Sequence, residues 1–245
     1  MYRVNSFDWS LLDHDLIVDM VGYLGPELIG KNIPTNDFTQ KIRSLLRQLE
    51  IPVNVRTQYS KKTEPNCVWV GGLYDSELDQ QDRTSIFVIL QYSSEREKIR
   101  INKTNFNRMC RTIADTILHE VIHMRQYRRR SYADIPGYYS TAQSGRKRAL
   151  QTYLGHNDEI DAYAFNIACQ LKSKFSGDSK KIIKYLNSNQ EDKRKKSSSF
   201  KMYLEAFDHN HDHKIIKRLK KKIINYMPNA MEIGKPYRTT DWLRK

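Results

Sequence analysis

Apolar residues recur every three to four positions in several parts of this chain, a spacing that predicts amphipathic helices. The longest such segment begins at Thr104 or Asn105 and runs to about Arg130. Two histidines and a glutamate interrupt its apolar positions, and such side chains are costly to bury unless they have partners. The other segments with helical spacing are residues 11–25, 37–50, 157–175 and 214–227.

Short segments rich in β-branched and aromatic residues predict strands between these helices, at residues 53–59, 67–73, 85–92 and 98–102. The order of helices, then strands, then helices predicts an α+β fold. We expect one domain over residues 1–176 and a basic, mainly helical region over residues 177–245. A flexible linker is predicted near residues 188–199, where Lys, Arg and Ser follow one another.

The charge of the chain is concentrated in its C-terminal part. The 245 residues carry a formal net charge of +14. Residues 1–170 contain 22 Lys and Arg against 20 Asp and Glu, whereas residues 171–245 contain 20 against 8. This asymmetry predicts either non-specific contact with nucleic acid or another polyanion, or a solvated helical surface. Truncation near residue 176 should remove any polyanion affinity, unless the apolar stripe from Ile215 to Ile224 belongs to the core.

Several classes of protein do not fit the sequence. No stretch approaches the roughly 18 consecutive apolar residues of a membrane span, and the N-terminus lacks the basic and apolar regions of a signal peptide. Cys67, Cys110 and Cys169 are isolated, so neither a disulfide framework nor a thiolate metal site is predicted. We therefore expect a protein of a reducing compartment, located in the cytoplasm.

Residues 119–123 read His-Glu-Val-Ile-His, the HExxH pattern. Positions i and i+4 of a helix share a face, so His119 and His123 can bind one metal ion, and zinc suits imidazole nitrogens. Glu120 is rotated about 100° from His119 around the helix, where it can accept a proton from a metal-bound water. Composition alone predicts about 0.01 such patterns in the chain. A metal site is therefore favoured over two histidines hydrogen-bonded in a core.

A catalytic zinc ion takes three protein ligands and one water. The start of the helix predicted over residues 157–175 is the best source of the third. Its first turns also suit an ordinary helix N-terminus, capped by Asn157 and with acidic residues favoured by the helix dipole. The candidate ligands and orienting groups there are His156, Asp158, Glu159 and Asp161.

HExxH followed by a second helix with the sequence Glu-Ile-Asp-Ala resembles the gluzincin type of zincin metallopeptidases, in particular the small zinc metallopeptidases encoded by bacteriophages. The resemblance covers roughly residues 104–175. It implies a zincin-like fold, zinc bound by His119, His123 and Glu159, and Glu120 as the general base of peptide hydrolysis.

The sequence departs from this family in two respects. Glu159 lies 36 residues after His123, a longer separation than in many gluzincins, and Tyr163 stands where thermolysin-like members have an aspartate. The register of the ligand on this helix is also open, so Asp158 and His156 stay as alternative ligands. Asp161 or Asp115 could orient a ligand histidine.

The resemblance implies a zinc-dependent endopeptidase acting on protein or peptide substrates in a host cytoplasm or a virion. We expect the strand over residues 85–92 to form the sheet edge and to pair with an extended peptide. One alternative is a phage virion or nucleic-acid-associated structural protein whose zinc site is vestigial or structural. Another is a protease of DNA-bound proteins in the manner of SprT-like enzymes, which requires His156 as a ligand.

Two further features carry open interpretations. A tyrosine near the site could stabilise an oxyanion, and the candidates are Tyr127, Tyr132, Tyr138, Tyr139 and Tyr153. The segment Asp-His-Asn-His-Asp-His, residues 208–213, is either a second metal site or a polar cap for the helix that follows it.

Overall fold

The computed structural model describes residues 7–9, 12–133, 146–188 and 197–227. The chain divides into two compact units, whose boundary in sequence lies between Tyr132 and Ala133. Helices and small sheets occur together, which confirms the α+β class predicted from the order of the elements. Among the described residues no helix combines the length and the apolar character that a membrane span needs.

The first unit contains all the described strands. Its elements are α1 (His14–Gly22), α2 (Gly25–Leu28), β1 (Ile33–Pro34), α3 (Thr35–Gln48), β2 (Val53–Ser60), β3 (Trp69–Tyr74), α4 (Ser76–Gln80), β4 (Ile86–Ser93), β5 (Lys98–Ile99) and α5 (Lys103–Arg129). The strand predicted over residues 98–102 is reduced to the two residues of β5, which pair antiparallel with β1.

The main sheet has the order β2-β4-β3, with β4 parallel to β2 and antiparallel to β3. The prediction that residues 85–92 form the sheet edge is therefore wrong, because β4 pairs on both sides. Its sequence explains the central place. Ile86, Phe87, Val88 and Leu90 are all at most 2% exposed, and such a near-continuous apolar run is typical of a strand covered on both faces. In the described sheet the edges are β2 and β3.

The core of the first unit lies between the sheet and its helices. Alternate residues of β4 from Ile86 to Tyr92 are at most 1% exposed, and α5 packs against β3 and β4 while α3 packs against β2. The Tyr92 and Thr39 hydroxyls are 2.9 Å apart and join α3 to the sheet. Helix α1 packs on α5. Helix α5 is thus held by elements on several sides, which fixes the residues that project from it.

The second unit consists of helices in its described part: α6 (Arg146–Gly155), α7 (Asn157–Phe175), α8 (Ser179–Asn187), α9 (Ser198–Ala206) and α10 (Lys214–Tyr226). One hydrophobic cluster joins them, with buried side chains that include Leu154, Ile160, Ile167, Leu171, Ile182, Phe200, Tyr203, Ile216, Leu219 and Ile223.

The domain boundary expected between residues 176 and 177 lies inside this second unit, where residues on both sides of it share the cluster. The apolar stripe of α10 belongs to the core, since Ile216, Leu219 and Ile223 are fully buried. Most of the linker expected near residues 188–199 lies outside the described residues. Its end is described, and there the Ser197 hydroxyl caps α9 by accepting from the backbone N–H of Phe200 at 3.1 Å.

Candidate metal centre

Helix α5 presents His119 and His123 side by side, as the i and i+4 spacing predicts. Both residues are at most 8% exposed, and their Nε2 atoms lie 3.0 Å apart. Two nitrogen ligands of a tetrahedral zinc ion, each at about 2.0–2.1 Å from it, are separated by about 3.3 Å. The pair is therefore spaced for one shared ion.

Gln126 fixes the orientation of the second imidazole. The Nδ1 atom of His123 lies 2.9 Å from the Oε1 atom of Gln126, one turn further along α5. An amide oxygen only accepts hydrogen bonds, so Nδ1 donates, and the Nε2 atom keeps its lone pair for a metal. Partners of this kind orient metal ligands. Sequence reasoning missed Gln126, although its position three residues after His123 on the same helix face was a usable signal.

Glu159 lies in the first turn of α7 and is 1% exposed. His119, His123 and Glu159 form a buried group whose ligand atoms all lie within 4.8 Å of one another. The group could hold a metal ion. Two imidazole nitrogens and one carboxylate oxygen are a donor set that zinc accepts at catalytic sites.

The alternative ligands named from the sequence have other roles in α7. His156 is the N-cap, and its Nδ1 atom accepts from the backbone N–H of Asp158 at 3.3 Å. The expectation that Asn157 caps this helix is therefore wrong, since Asn157 is its first residue. Asp161 accepts a hydrogen bond of 2.8 Å from Lys222 of α10. Glu159 is thus the residue of this turn that lies with the two histidines.

Glu120 lies directly against β3. It is 8% exposed, and Gly72 permits its close approach. A Cβ atom added at Gly72 would lie 2.4 Å from the Oε1 atom of Glu120 and 2.6 Å from the Cγ2 atom of Thr116. The base predicted from the sequence therefore occupies space that any larger residue at position 72 would take. A glycine inside a strand indicates such close approach, so the signal was present in the sequence.

A buried carboxylate ties the end of α5 to α4 and β3. Asp79 is 3% exposed and accepts from the Nε and Nη2 atoms of Arg128 at 2.8 and 2.7 Å. The hydroxyls of Tyr74 and Tyr132 also donate to it, at 2.9 and 2.8 Å. Burial acts to raise the pKa of Asp79, but the bonds from Arg128, Tyr132 and Tyr74 hold that pKa below its ordinary value.

The tyrosines considered for an oxyanion role have distinct surroundings. Tyr132 donates to Asp79, Tyr127 lies beside Tyr74 with ring centroids 5.5 Å apart, and Tyr153 packs against the core of the second unit. Tyr138 and Tyr139 lie outside the described residues. Sequence reasoning did not consider Tyr203 of α9, which is fully buried, and burial, Tyr163 and the charge of Glu159 raise its pKa.

Asp115 lies against α1. Its Oδ1 atom is 3.3 Å from the Nε2 atom of His14, and the sequence did not single out that histidine. Burial acts to lower the pKa of His14, but Asp115 and Asp15 outweigh it, so the pKa is raised.

The polar-cap interpretation of residues 208–213 is confirmed. The His213 side chain accepts from the backbone N–H of Ile215 at the start of α10.

Comparisons with known proteins give no relative for this chain. No protein-family model matches it, and no curated protein or solved structure does so either. The resemblance to gluzincins therefore stays a prediction from the two sequence motifs.

Proposed function

We propose that this protein is a zinc-dependent peptidase with a zincin-like arrangement of HExxH helix, third-ligand helix and sheet. The observation that carries the proposal is the buried group of His119, His123 and Glu159, with ligand atoms within 4.8 Å of one another. Glu120 adjoins it in sequence and is not one of the three ligands. This combination of three ligands and one extra carboxylate is what metal-assisted hydrolysis requires.

The chain's own residues would divide the chemistry among them. A bound zinc ion supplies a water of lowered pKa and polarises a carbonyl group. Glu120 takes the proton of the attacking water and delivers it to the leaving amine, as a carboxylate held in a buried position can do. Gln126 keeps the His123 ring in the ligating orientation, since it accepts from the Nδ1 atom at 2.9 Å.

An extended peptide would bind along β3. This strand is an edge of the described sheet, and α5 packs against it. Backbone groups on an edge strand are available to pair with another chain. Trp69 and Leu73 of β3 are 62% and 47% exposed, so they offer apolar contact to a substrate. The substrate class that fits is an unfolded or extended segment of protein.

The decisive experiment replaces Glu120 by Gln in the full chain. Gln keeps the size of the side chain and cannot accept the proton, so hydrolysis of a proteome-derived peptide library should fall by at least about 100-fold. Zinc content and thermal melting should stay at wild-type values, because Glu120 is not a ligand. Equal activity of the Glu120→Gln and wild-type proteins would refute the assignment of the base.

The second candidate is a nucleic-acid-binding protein in which the metal has only a structural role. The basic surface of α10 favours nucleic-acid binding. Six of the thirteen residues of that helix are Lys or Arg and none is Asp or Glu. A zinc-stabilised protein that binds nucleic acid would bind one zinc ion per chain and release no peptide products from the library. The same experiment therefore separates the two candidates.

A further inference from the structure

An open surface cavity of about 560 Å³ lies in the second unit, beside α10, and Glu159 is not among its lining residues. Its polar lining comes from the end of α8, from the segment before α10 and from α10 itself. The residues that matter are Asn187, His211, Asp212, Lys217, Lys220 and Lys221. Five of these residues lie within positions 211–221, and the fold of the second unit brings Asn187, at the end of α8, to them.

The lining carries an excess of positive charge. Three lysines and one acid, Asp212, line the cavity, and the Asp212 carboxylate pairs with the ammonium group of Lys217 at 2.9 Å. The Asp212 side chain is 88% exposed, so water screens this pair. Lys217 and Lys221 stand one turn apart on α10, where like charges repel each other. An anion in the cavity would relieve that repulsion.

Lys220 is the least solvated of the three lysines. Burial lowers its pKa and so does the neighbouring charge of Lys217, against the opposing effect of Asp212. An ammonium group that has lost water gains more from an anionic partner than an exposed one does. The amide of Asn187 adds a neutral hydrogen-bond donor to the same wall.

We propose that this cavity binds a phosphate group, held by Lys217, Lys220 and Lys221. A phosphate carries up to two charges and accepts several hydrogen bonds at once, which suits three lysines better than a single carboxylate would. The phosphate could belong to a small free ligand or to the backbone of a nucleic acid. Lys214 and Arg218 continue the basic row along α10, so a longer polyanion would find further contacts there.

Asp212 provides a test through the direction in which its removal changes the binding affinity. Its carboxylate competes with a phosphate for Lys217, so its charge should weaken binding. Removal of a lysine and removal of Asp212 must then change the affinity in opposite directions. A merely non-specific basic surface would also respond to total charge, and a matched lysine outside the cavity separates the two cases. Lys174 of α7 is exposed, belongs to the same unit and is not part of the lining.

The test uses the full chain with two probes, inorganic pyrophosphate and a labelled twelve-nucleotide poly-dT, each titrated at several salt concentrations. The double variant Lys220→Gln, Lys221→Gln should bind about tenfold or more weakly, as expected when charge-assisted hydrogen bonds are lost. Asp212→Asn should bind a few-fold more tightly, and Lys174→Gln should stay within about twofold of wild type. Circular dichroism melting checks the fold of every variant.

A response confined to pyrophosphate identifies a small phosphate ligand, and a response confined to the oligonucleotide identifies a nucleic-acid backbone; both outcomes support the cavity. Wild-type protein that binds neither probe would overturn it. So would a double variant as tight as wild type, or a Lys174→Gln variant as weak as the double variant. If the double variant does not fold, the single exposed change Lys221→Gln takes its place. Weaker binding by Lys221→Gln than by Lys174→Gln supports the cavity, and equal binding by these two variants overturns it.

Discussion

Two neighbouring acids in the first turn of α7 differ in burial and in surroundings. Glu159 is 1% exposed and lies with the two histidines, whereas Asp158 is only partly buried and its backbone N–H donates to the His156 cap. The difference follows from the helix, because adjacent residues point about 100° apart. A pair of matched substitutions can therefore separate a ligand from a helix-terminal acid.

Glu159→Gln should weaken zinc binding by at least about 100-fold, because a neutral amide is a poor zinc ligand in place of a carboxylate. Asp158→Asn should change the affinity by only a few-fold. Competition with a chromophoric chelator measures both. Should Asp158→Asn or a His156 substitution prove the damaging change instead, the third ligand would have to be reassigned, in the latter case towards the SprT-like alternative.

Gly72 and Gly71 form a second matched pair, on β3. A Cβ atom at Gly72 would meet Glu120 and Thr116 below 3.0 Å, whereas one at Gly71 would meet nothing within 4 Å. Gly72→Ala should therefore displace Glu120 or the strand, with an expected cost of about 1–3 kcal/mol in unfolding free energy and a loss of peptidase activity. Gly71→Ala should leave both nearly unchanged. Thermal melting and peptide hydrolysis check this, and equal behaviour of the two variants would contradict the contact.

Contacts between residues at a fixed, short spacing could be predicted from the sequence. The i and i+4 histidines need only a helix to converge, so the predicted pairing of His119 and His123 on one face agrees with the structure. Gln126 and Gly72 were overlooked although both had local signals. The Asp79 contacts could not be read in this way, because Asp79 and Arg128 are 49 positions apart and nothing in the pattern links them.

At the scale of elements, the Asp79 carboxylate joins α4, β3 and the end of α5. Asp79→Asn should destabilise the first unit at neutral pH by about 1–2 kcal/mol, a value reduced for the partial exposure of Arg128. Glu77→Gln on the exposed side of α4 is the control, expected to change stability by less than about 0.5 kcal/mol. Chemical denaturation measures both.

The pH dependence of this effect has a definite sign. The pKa of Asp79 is lowered in the folded chain from a reference value of 3.8. Its stabilising contribution is therefore present above about pH 4 and is lost as the pH falls through the lower folded pKa. The stability difference between wild type and Asp79→Asn should shrink in that acidic range. A difference that stays constant from pH 7 to pH 3 would show that the carboxylate charge is not what matters.

Periodicity predicted the main helices and strands. The errors arose where strand pairing or helix capping determines the structure. Strands β2, β3 and β4 coincide closely with their predicted segments, as do helices α3, α5, α7 and α10. Helix α1 is shorter than the segment predicted over residues 11–25. The sheet order was not readable, since strand composition does not state which neighbours pair, and β4 proved central. Short elements such as α2, α4 and β1 depend on tertiary contacts and were missed.

At the scale of the whole molecule, the distribution of charge and the extent of the hydrophobic cluster divide the chain at different residues. The jump in net charge after residue 170 suggested a separate basic region, but the cluster of the second unit takes residues from α6 to α10. An amphipathic helix with a lysine-rich face has the same sequence pattern whether its apolar stripe packs in a core or binds a surface. The burial of Leu219 decides this case.

Truncation after residue 176 should therefore unfold the second unit instead of releasing an intact metal-binding domain. It removes α8, α9 and α10, which leaves the apolar face of α7 in water. Each large side chain so exposed costs about 1.5–3 kcal/mol, and several of them exceed the net stability of a typical domain. Zinc affinity should fall with the helix, because Glu159 belongs to α7. Circular dichroism and chelator competition on the fragment of residues 1–176 measure both effects.

Point variants in the full chain provide the control for this truncation. Leu219→Ala removes a fully buried side chain of α10 and should cost about 2–4 kcal/mol, whereas Ile224→Ala removes one that is 43% exposed and should cost less than about 1 kcal/mol. The order of these two costs tests whether α10 is a core helix without shortening the chain. If the fragment instead keeps the helicity of α7 and wild-type zinc affinity, residues 1–176 fold alone and the charge-based boundary is the physical one.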